Sequence, residues 1–309
     1  MTVSRENVYI IIPVHNRKAI TLQCLDILDK NGDLKKYYVI VVDDGSTDGT
    51  SEAIQSIYPD IIILVGDGNL WWTGAIKKGM EYAYEKGAEY FIWLNDDCLV
   101  ESHTFDDLVS FCKTHIDSII GCQGVEFNAH DKICFGGKKR RWINYHMTNY
   151  PHGQILQCDL LSGNLVCIHR SVINKIGYPD TDSVPHYGGD SNYLIRARKC
   201  GFKIFVSSCH LVTNLSGESS MAPQHWLIKK GNSLDVFKLI FVSQSILSWR
   251  VWLNLYREEY GSFLGNLNFI VFYTIQFLIP ITLITLLRFL PLSLRYKLSK
   301  LKRQITSNL

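Results

Sequence analysis

Tyr38-Val39-Ile40-Val41-Val42 runs directly into Asp43-Asp44-Gly45-Ser46-Thr47-Asp48. The first five residues are apolar and mostly β-branched, and turn formers bound them, so they read as a strand buried on both faces. The acidic stretch that follows reads as the turn ending that strand. Asp48 stands where its carboxylate can cap a helix running to about Tyr58. The same unit recurs on either side. Val8-Tyr9-Ile10-Ile11-Ile12 is an earlier buried strand, followed by a helix that buries Ile20, Leu22, Cys24, Leu25 and Leu28. Ile61–Val65 is a third strand, Gly74–Lys86 a helix stopped at Gly87, and Tyr90-Phe91-Ile92-Trp93-Leu94 a fourth strand ending in Asn95-Asp96-Asp97. Strands alternating with helices imply a parallel sheet covered on both faces. In such sheets ligands bind beyond the carboxyl ends of the strands. Pro13 to Arg17, Asp43 to Asp48 and Asn95 to Asp97 all fall at that edge.

From about 100 to 215 the pattern is less regular. A helix over Thr104–Thr114 and short strands near Ile119, Ile133, Leu165 and Phe205 predict a mixed second half. Ser171 stands where it can cap a short helix ending before Gly177, and Asp190–Cys200 reads as a helix stopped at Gly201. After about residue 225 the composition shifts. Phe237–Tyr260 reads as an amphipathic helix rich in interfacial aromatics, and Phe269–Leu287 carries no charge but is interrupted by Gln276 and Pro280.

Two adjacent carboxylates such as Asp96-Asp97 repel one another unless a cation or a donor compensates them. Hard oxygen ligands suit Mg²⁺ or Mn²⁺, which commonly join one or two carboxylates to substrate phosphates. Taken alone, each acidic turn is better explained as a solvated cap. The two together at one sheet edge are not.

Ile12-Pro13-Val14-His15-Asn16-Arg17, then Val42 to Asp48, then Leu94-Asn95-Asp96-Asp97 resemble, in this order, the family 2 glycosyltransferases of GT-A fold, over roughly residues 7–215. Within that family the likeness is to the bacterial cell-surface polysaccharide, rhamnosyltransferase-like type. The resemblance implies an α/β, GT-A (Rossmann-like) mixed sheet flanked by helices, with a C-terminal amphipathic and hydrophobic helical appendage. The expected division is a catalytic domain over 1–225 and a membrane-associating helical region with a basic tail over 226–309.

The roles it implies are these. Pro13 lines the nucleotide pocket with Val14, Asn16 and Arg17, Asp44 bonds the pyrimidine base, and Asp96 lies near the ribose. Asp97, the last acid of a D-x-D-like motif whose first position is here Asn95, ligates Mg²⁺ or Mn²⁺. Gly68-Asn69-Leu70-Trp71-Trp72-Thr73-Gly74 matches a donor loop, with Asn69, Trp72, Gly74 and Lys77 as contacts. The family usually has Asn followed by glycines there, so the tryptophans either stack on base or sugar or merely pack. His186-Tyr187-Gly188-Gly189-Asp190 is similar to the family's Glu-Asp motif, with Gly189 in place of Glu and Asp190 as general base. Gly163 and Asn164 form a small turn near the acceptor, and His210 stands where some members place a metal-ligating histidine. The implied reaction is an inverting transfer from a UDP- or dTDP-sugar to a glycan or lipid-linked acceptor.

The formal charge of +3 over 309 residues is too small to argue for nucleic acid as a partner. From Arg288 onward the sequence has Arg295, Lys297, Lys300, Lys302 and Arg303 and no acidic residue. Nine scattered cysteines without two-residue spacing read as reduced thiols in a reducing compartment, and Val8–Val14 is too short for a signal core. The expected location is the cytoplasmic face of the cytoplasmic membrane, peripheral or monotopic. One span would put the basic tail and the catalytic domain on opposite sides, so 269–287 lies in the interface or bends back at Pro280. A nucleotidyltransferase or a nicotinamide-binding domain would need glycine directly after the first strand, and Pro13–Arg17 has none. A non-catalytic sugar-nucleotide or lipid-binding subunit remains the other reading.

Overall fold

A computed structural model describes residues 5–215, 226–229, 231–232 and 234–307, with side chains to Lys300. The chain divides into two compact units, Met1–Glu218 and Ser219–Leu309. The expected boundary near 225 lies outside the described residues.

The first unit opens as the alternation requires: β1 (Val8–Val14), α1 (Lys18–Asn31), the short α2 (Asp33–Lys36), β2 (Tyr38–Asp43), α3 (Thr50–Ile57), β3 (Ile62–Val65), α4 (Trp71–Glu85) and β4 (Tyr90–Leu94). Next come β5 (Cys98–Val100), α5 (Thr104–Thr114), β6 (Ser118–Glu126), β7 (Ala129–Phe135), β8 (Gly137–Arg141), β9 (Asn144–Met147), β10 (Ile155–Cys158), β11 (Leu160–Leu161) and β12 (Leu165–His169). The unit ends with α6 (Arg170–Ile176), α7 (Gly189–Lys199) and β13 (Lys203–Asn214). The main sheet has the order β10-β13-β6-β12-β4-β1-β2-β3. Pairings β4-β1-β2-β3 are parallel, whereas β12 runs antiparallel between β4 and β6. β8, β9 and β11 form a separate small sheet.

Burial explains the strand sequences. Ile10, Ile11, Ile12, Val41, Val42, Phe91, Ile92 and Leu94 are fully enclosed, because helices cover both faces. Gly79 lets α4 lie directly on the sheet, since a Cβ there would stand 2.4 Å from Ile11 Cγ2. The antiparallel β12 places the turn at 162–164 beside the end of β4: Leu94 pairs with Leu165, and the Asn95 N–H donates to the Asn164 carbonyl at 2.8 Å.

Three local expectations change. α4 begins at Trp71 rather than Gly74. α6 is capped by the His169 ring, which accepts from the Ser171 N–H, rather than by Ser171 itself. Phe237–Tyr260 is not one helix. A four-residue α8 (Asp235–Lys238) and a 3₁₀ turn are separated from α9 (Trp249–Tyr260) by an irregular stretch in which the Ser245 hydroxyl accepts from the Leu247 N–H, a local bond that competes with the helix.

In the second unit α10 (Ser262–Tyr273), a π turn over Thr274–Leu278, and α11 (Ile279–Leu287) form one helical run of 26 residues, followed by α12 (Leu292–Ser307). The chain does not turn back at Pro280. The wider π turn just before the proline accommodates its missing N–H and its ring. One side of the run buries Phe272, Tyr273, Phe277, Ile281 and Ile284; the other exposes Phe263, Leu267, Ile270, Ile275, Leu283 and Leu286. Arg288 does not belong to the exposed basic tail. It is buried, and its guanidinium donates to the carbonyls of Trp226 at 2.6 Å and Asn232 at 2.7 Å. Lys302 and Arg303 lie beyond the described side chains.

Candidate active site

The loops after β1, β2, β3 and β4 meet at one edge of the sheet. Asn16 takes a left-handed conformation (φ 51°), which asparagine tolerates better than most residues. Its N–H donates to Ser46 Oγ at 2.8 Å and its Oδ1 accepts from the Thr47 N–H at 2.7 Å, so it clasps the first loop to the second. The Asp44 N–H donates to the Val14 carbonyl, and His15 Nδ1 lies 2.6 Å from the Asp44 carbonyl. Pro13 is paired in register with Val42.

The Asp44 carboxylate is turned into the third loop. Oδ1 accepts from the N–H groups of Gly68 (2.9 Å) and Leu70 (3.1 Å), and Oδ2 from that of Trp71 (2.8 Å). A side chain from the loop after β2 thereby caps α4, and this is why the helix starts three residues early.

Arg17 precedes α1 and reaches across to the end of β4. One guanidinium nitrogen is 3.1 Å from Asp96 Oδ1, the other 3.0 Å from Asp97 Oδ2. Asp96 Oδ2 also accepts from Thr21 Oγ at 3.0 Å, one turn along α1. The compensating cation that Asp96-Asp97 demands is thus supplied from within the chain. It is not enough for both acids: burial, with the neighbouring Asp97 adding to it, holds Asp96 up at about 6 in spite of Arg17. The same pair of carboxylates raises Arg17 above its ordinary value against the opposing pull of burial.

Asp97 therefore fits a divalent cation better than Asp96. Both Asp96 oxygens are engaged, whereas Asp97 Oδ1 faces the weak thiol donor of Cys98 at 3.8 Å. Among the described residues no three His, Cys, Asp or Glu side chains form a metal cage. A cation here would take one hard protein oxygen and complete its shell from phosphate and water, as Mg²⁺ commonly does. His210 does not contribute. It lies on β13, with Nε2 2.8 Å from Asp107 Oδ2 and Nδ1 3.8 Å from Glu101. It stands five residues from Leu215, whose N–H bonds the Asp97 carbonyl, roughly 15 Å along an extended strand.

Trp72 joins the two halves of the rim. Its indole N–H donates to Asn95 Oδ1 at 2.8 Å, and its ring meets Trp93 edge-on at 5.5 Å. Gly163 lies against it: a Cβ there would be 2.9 Å from the Trp72 ring and 2.7 Å from the Asp190 Cβ. The Gly163 N–H donates to Asp190 Oδ2 at 2.9 Å, while Asp190 Oδ1 accepts from the Ser191 N–H. Asp190 thus sits in the first turn of α7, within one hydrogen bond of the 162–164 turn.

The neighbouring Gly189 stands where the resemblance leads one to expect Glu. A Cβ at this position would be 2.1 Å from Thr73 Oγ1, and Thr73 is fully buried and bonded to the Val184 carbonyl. Gly189→Ala should therefore lower stability by about 1–3 kcal/mol through overpacking, read as a drop in the thermal midpoint. An unchanged midpoint would refute the close approach.

The other expected contacts are spread over the third loop and α4. Gly74 is buried in the first turn of α4 against Leu70, Lys77 lies 4.0 Å from Glu81 one turn on, and Asn69 is exposed with its N–H on Asp67. Two rim residues have no role in the sequence reading. Thr21 is one; its spacing of one helical turn from Arg17 was the available signal. His186 is the other: its ring packs on Trp71 at 5.3 Å, its Nδ1 is buried without a partner, and burial lowers its pKa below 6.5 against the pull of Asp190.

A family model described as Glycosyl transferase family 2 matches residues 9–177. The chain is 25% identical over 219 residues to glycosyltransferase AglE of Haloferax volcanii, covering 68% of each chain. Among solved structures it is similar to GalNAc-T7 with UDP, GalNAc and Mn²⁺, with a TM-score of 0.58 at 12% identity, over 89% of this chain and 57% of that one. A complex of S. aureus TarS residues 1–349 with UDP-GlcNAc gives a TM-score of 0.48 at 15% identity, over 81% and 72% of the two chains. At such identity the GalNAc-T7 likeness speaks to the fold alone: a GT-A-like curled mixed sheet flanked by helices, which here carries a C-terminal apolar helix.

Proposed function

This chain belongs to glycosyl transferase family 2, and from that premise we propose an inverting transfer of a hexosyl group from a UDP- or dTDP-sugar to a hydroxyl of a lipid-linked glycan. The observation that carries the proposal is the placing of Asp190, fixed by Gly163 and linked through Trp72 and Asn95 to the edge that holds Arg17, Asp96 and Asp97. A base thus stands on the same rim as a cationic and acidic cluster suited to a diphosphate.

The acceptor oxygen bonds to the anomeric carbon as its proton passes to Asp190. The bond from that carbon to the diphosphate breaks on the opposite face, and the nucleoside diphosphate departs with the electron pair. Arg17 lies where its guanidinium can meet the phosphates, and Asp97 would hold Mg²⁺ or Mn²⁺, whose chemistry is to offset the charge of the leaving group. A carboxylate offers about four acceptor sites. The loop amides take three at Asp44, leaving Oδ2 a lone pair for an N–H of the pyrimidine base. The UDP named in the GalNAc-T7 structure favours UDP as the nucleotide. The rhamnosyl and bacterial surface-polysaccharide assignments rest on the motif resemblance.

A lipid-linked acceptor accords with the second unit. Its 26-residue helical run is covered by protein on one side and apolar on the other. That arrangement suits a helix lying in the membrane interface, on the cytoplasmic face, more than one surrounded by hydrocarbon.

The test is a thermal-shift series of the full chain with UDP-, dTDP- and GDP-sugars, with and without Mn²⁺, together with assay of free nucleoside diphosphate. One UDP- or dTDP-sugar should raise the midpoint, more so with Mn²⁺, and be slowly hydrolysed. No shift and no hydrolysis with any donor would overturn the reading.

A further inference from the structure

The β8–β9 hairpin has no part in the transfer just described, and its composition is unlike that of the rest of the first unit. Gly137-Lys138-Lys139-Arg140-Arg141-Trp142-Ile143-Asn144-Tyr145-His146-Met147 contains four consecutive basic residues and no acid. β8 and β9 pair from Lys138–Met147 to Arg141–Asn144, leaving Trp142 and Ile143 as the two-residue turn.

Two independent features mark the tip. Trp142 is 96% exposed, the most exposed of the large apolar side chains described. It also has φ 57°, a region where a bulky residue is an outlier and where tight hairpin turns favour Gly, Asn or Asp. Neither burial nor turn chemistry accounts for a tryptophan there. The root of the hairpin is firmly held: Lys138 pairs with Leu160, the Ser162 N–H donates to the Gly136 carbonyl, and the Arg140 N–H donates to Asp159. It therefore springs from the turn that carries Gly163, and its tip stands roughly 15 Å farther out by strand rise.

We propose that this hairpin is a membrane contact of the catalytic unit, with Trp142 entering the interface of an anionic bilayer and the basic run beside it meeting the headgroups. Tryptophan is favoured at the headgroup level, where an apolar ring and a wet N–H are both accommodated. Lysines and arginines next to it supply the electrostatic attraction. The choice of a lipid surface over an acidic polymer rests on the exposed aromatic tip with apolar Ile143 beside it and exposed Met147 farther along β9. Stable anchoring generally takes two signals. A contact in the first unit adds a second signal to the apolar helix of the second unit, and it fixes the acceptor side of the rim toward the lipid.

The experiment is co-sedimentation of the full chain with vesicles of phosphatidylcholine alone or with phosphatidylglycerol, for the wild type, Trp142→Ala, and Arg140→Ser/Arg141→Ser. The thermal midpoint of each variant without ligand serves as the check that it is folded. Loss of two basic side chains should weaken binding to the phosphatidylglycerol vesicles by about twenty-five-fold, some fivefold per charge. Binding to neutral vesicles should stay as it was. Trp142→Ala should weaken binding to both. Wild-type affinity of folded variants for both vesicles would overturn the proposal, and so would a loss confined to heparin or an oligonucleotide. Neither outcome depends on whether sugar is transferred.

Discussion

Asp190→Asn should lower transfer by about 10²–10⁴-fold, the usual worth of a positioned base, while the donor-induced thermal shift stays as in the wild type. The reason lies in the division of labour within one carboxylate. Oδ2 accepts from the Gly163 N–H and Oδ1 from the Ser191 N–H, so Asp190 is both a helix-start acceptor and a potential base. Asparagine keeps the size of the side chain and one acceptor oxygen for Gly163, but it cannot take a proton at neutral pH. Structure is thereby held while chemistry is removed. If transfer survived within a few-fold, Asp190 would be a cap alone and another group would have to accept the proton.

Arg17→Ala should destabilise the first unit by about 2–3 kcal/mol, somewhat less than the 3–5 kcal/mol for breaking a fully buried ion pair. The guanidinium retains 35% of its exposure, but the side chains it serves retain 3% (Asp96) and 9% (Asp97), and they adjoin in sequence. Without it two carboxylates share an enclosed site with no cation, and the already raised Asp96 would be driven higher. The thermal midpoint should fall by several degrees, and Mn²⁺ should restore part of the loss, more than it adds to the wild type. Arg17→Lys should recover only part, since an ammonium is a point charge and cannot present two nitrogens in a fixed plane. A midpoint equal to the wild type in the absence of metal would mean that the bridge does not form.

What could be read from the sequence follows from how local the cause is. Strands such as Tyr38–Asp43 and Tyr90–Leu94 announce themselves because burial on both faces requires an unbroken apolar run. The acidic turns were legible as a problem in electrostatics: Asp96-Asp97 needed a cation. That the cation is Arg17, eighty positions away, follows only from the packing of α1 against the end of β4. The start of α4 was misplaced for the same reason, since its cap is Asp44, a residue from the loop after β2. Gly189 looked like a departure from the Glu-Asp pattern, and only the close approach of Thr73 shows why no side chain fits. The β8–β9 hairpin was invisible because a strand of lysines and arginines has neither apolar alternation nor β-propensity to show. Arg288 was counted with the basic tail because charge alone cannot reveal that two carbonyls enclose it.

The π turn over Thr274–Leu278 makes the length of the C-terminal helical run a constraint in its own right. Buried Tyr273, Phe277, Ile281 and Ile284 keep one face of the run turned inward across it. Dropping a single residue from the α-helical turns beside it would rotate everything downstream by about 100°. Ile281 and Ile284 would swing toward solvent, and the Arg288 guanidinium would leave the carbonyls it now joins. Homologous chains, or engineered ones, can exchange one aliphatic for another along this segment with little consequence, but an insertion or deletion within it scrambles the phase of the whole appendage.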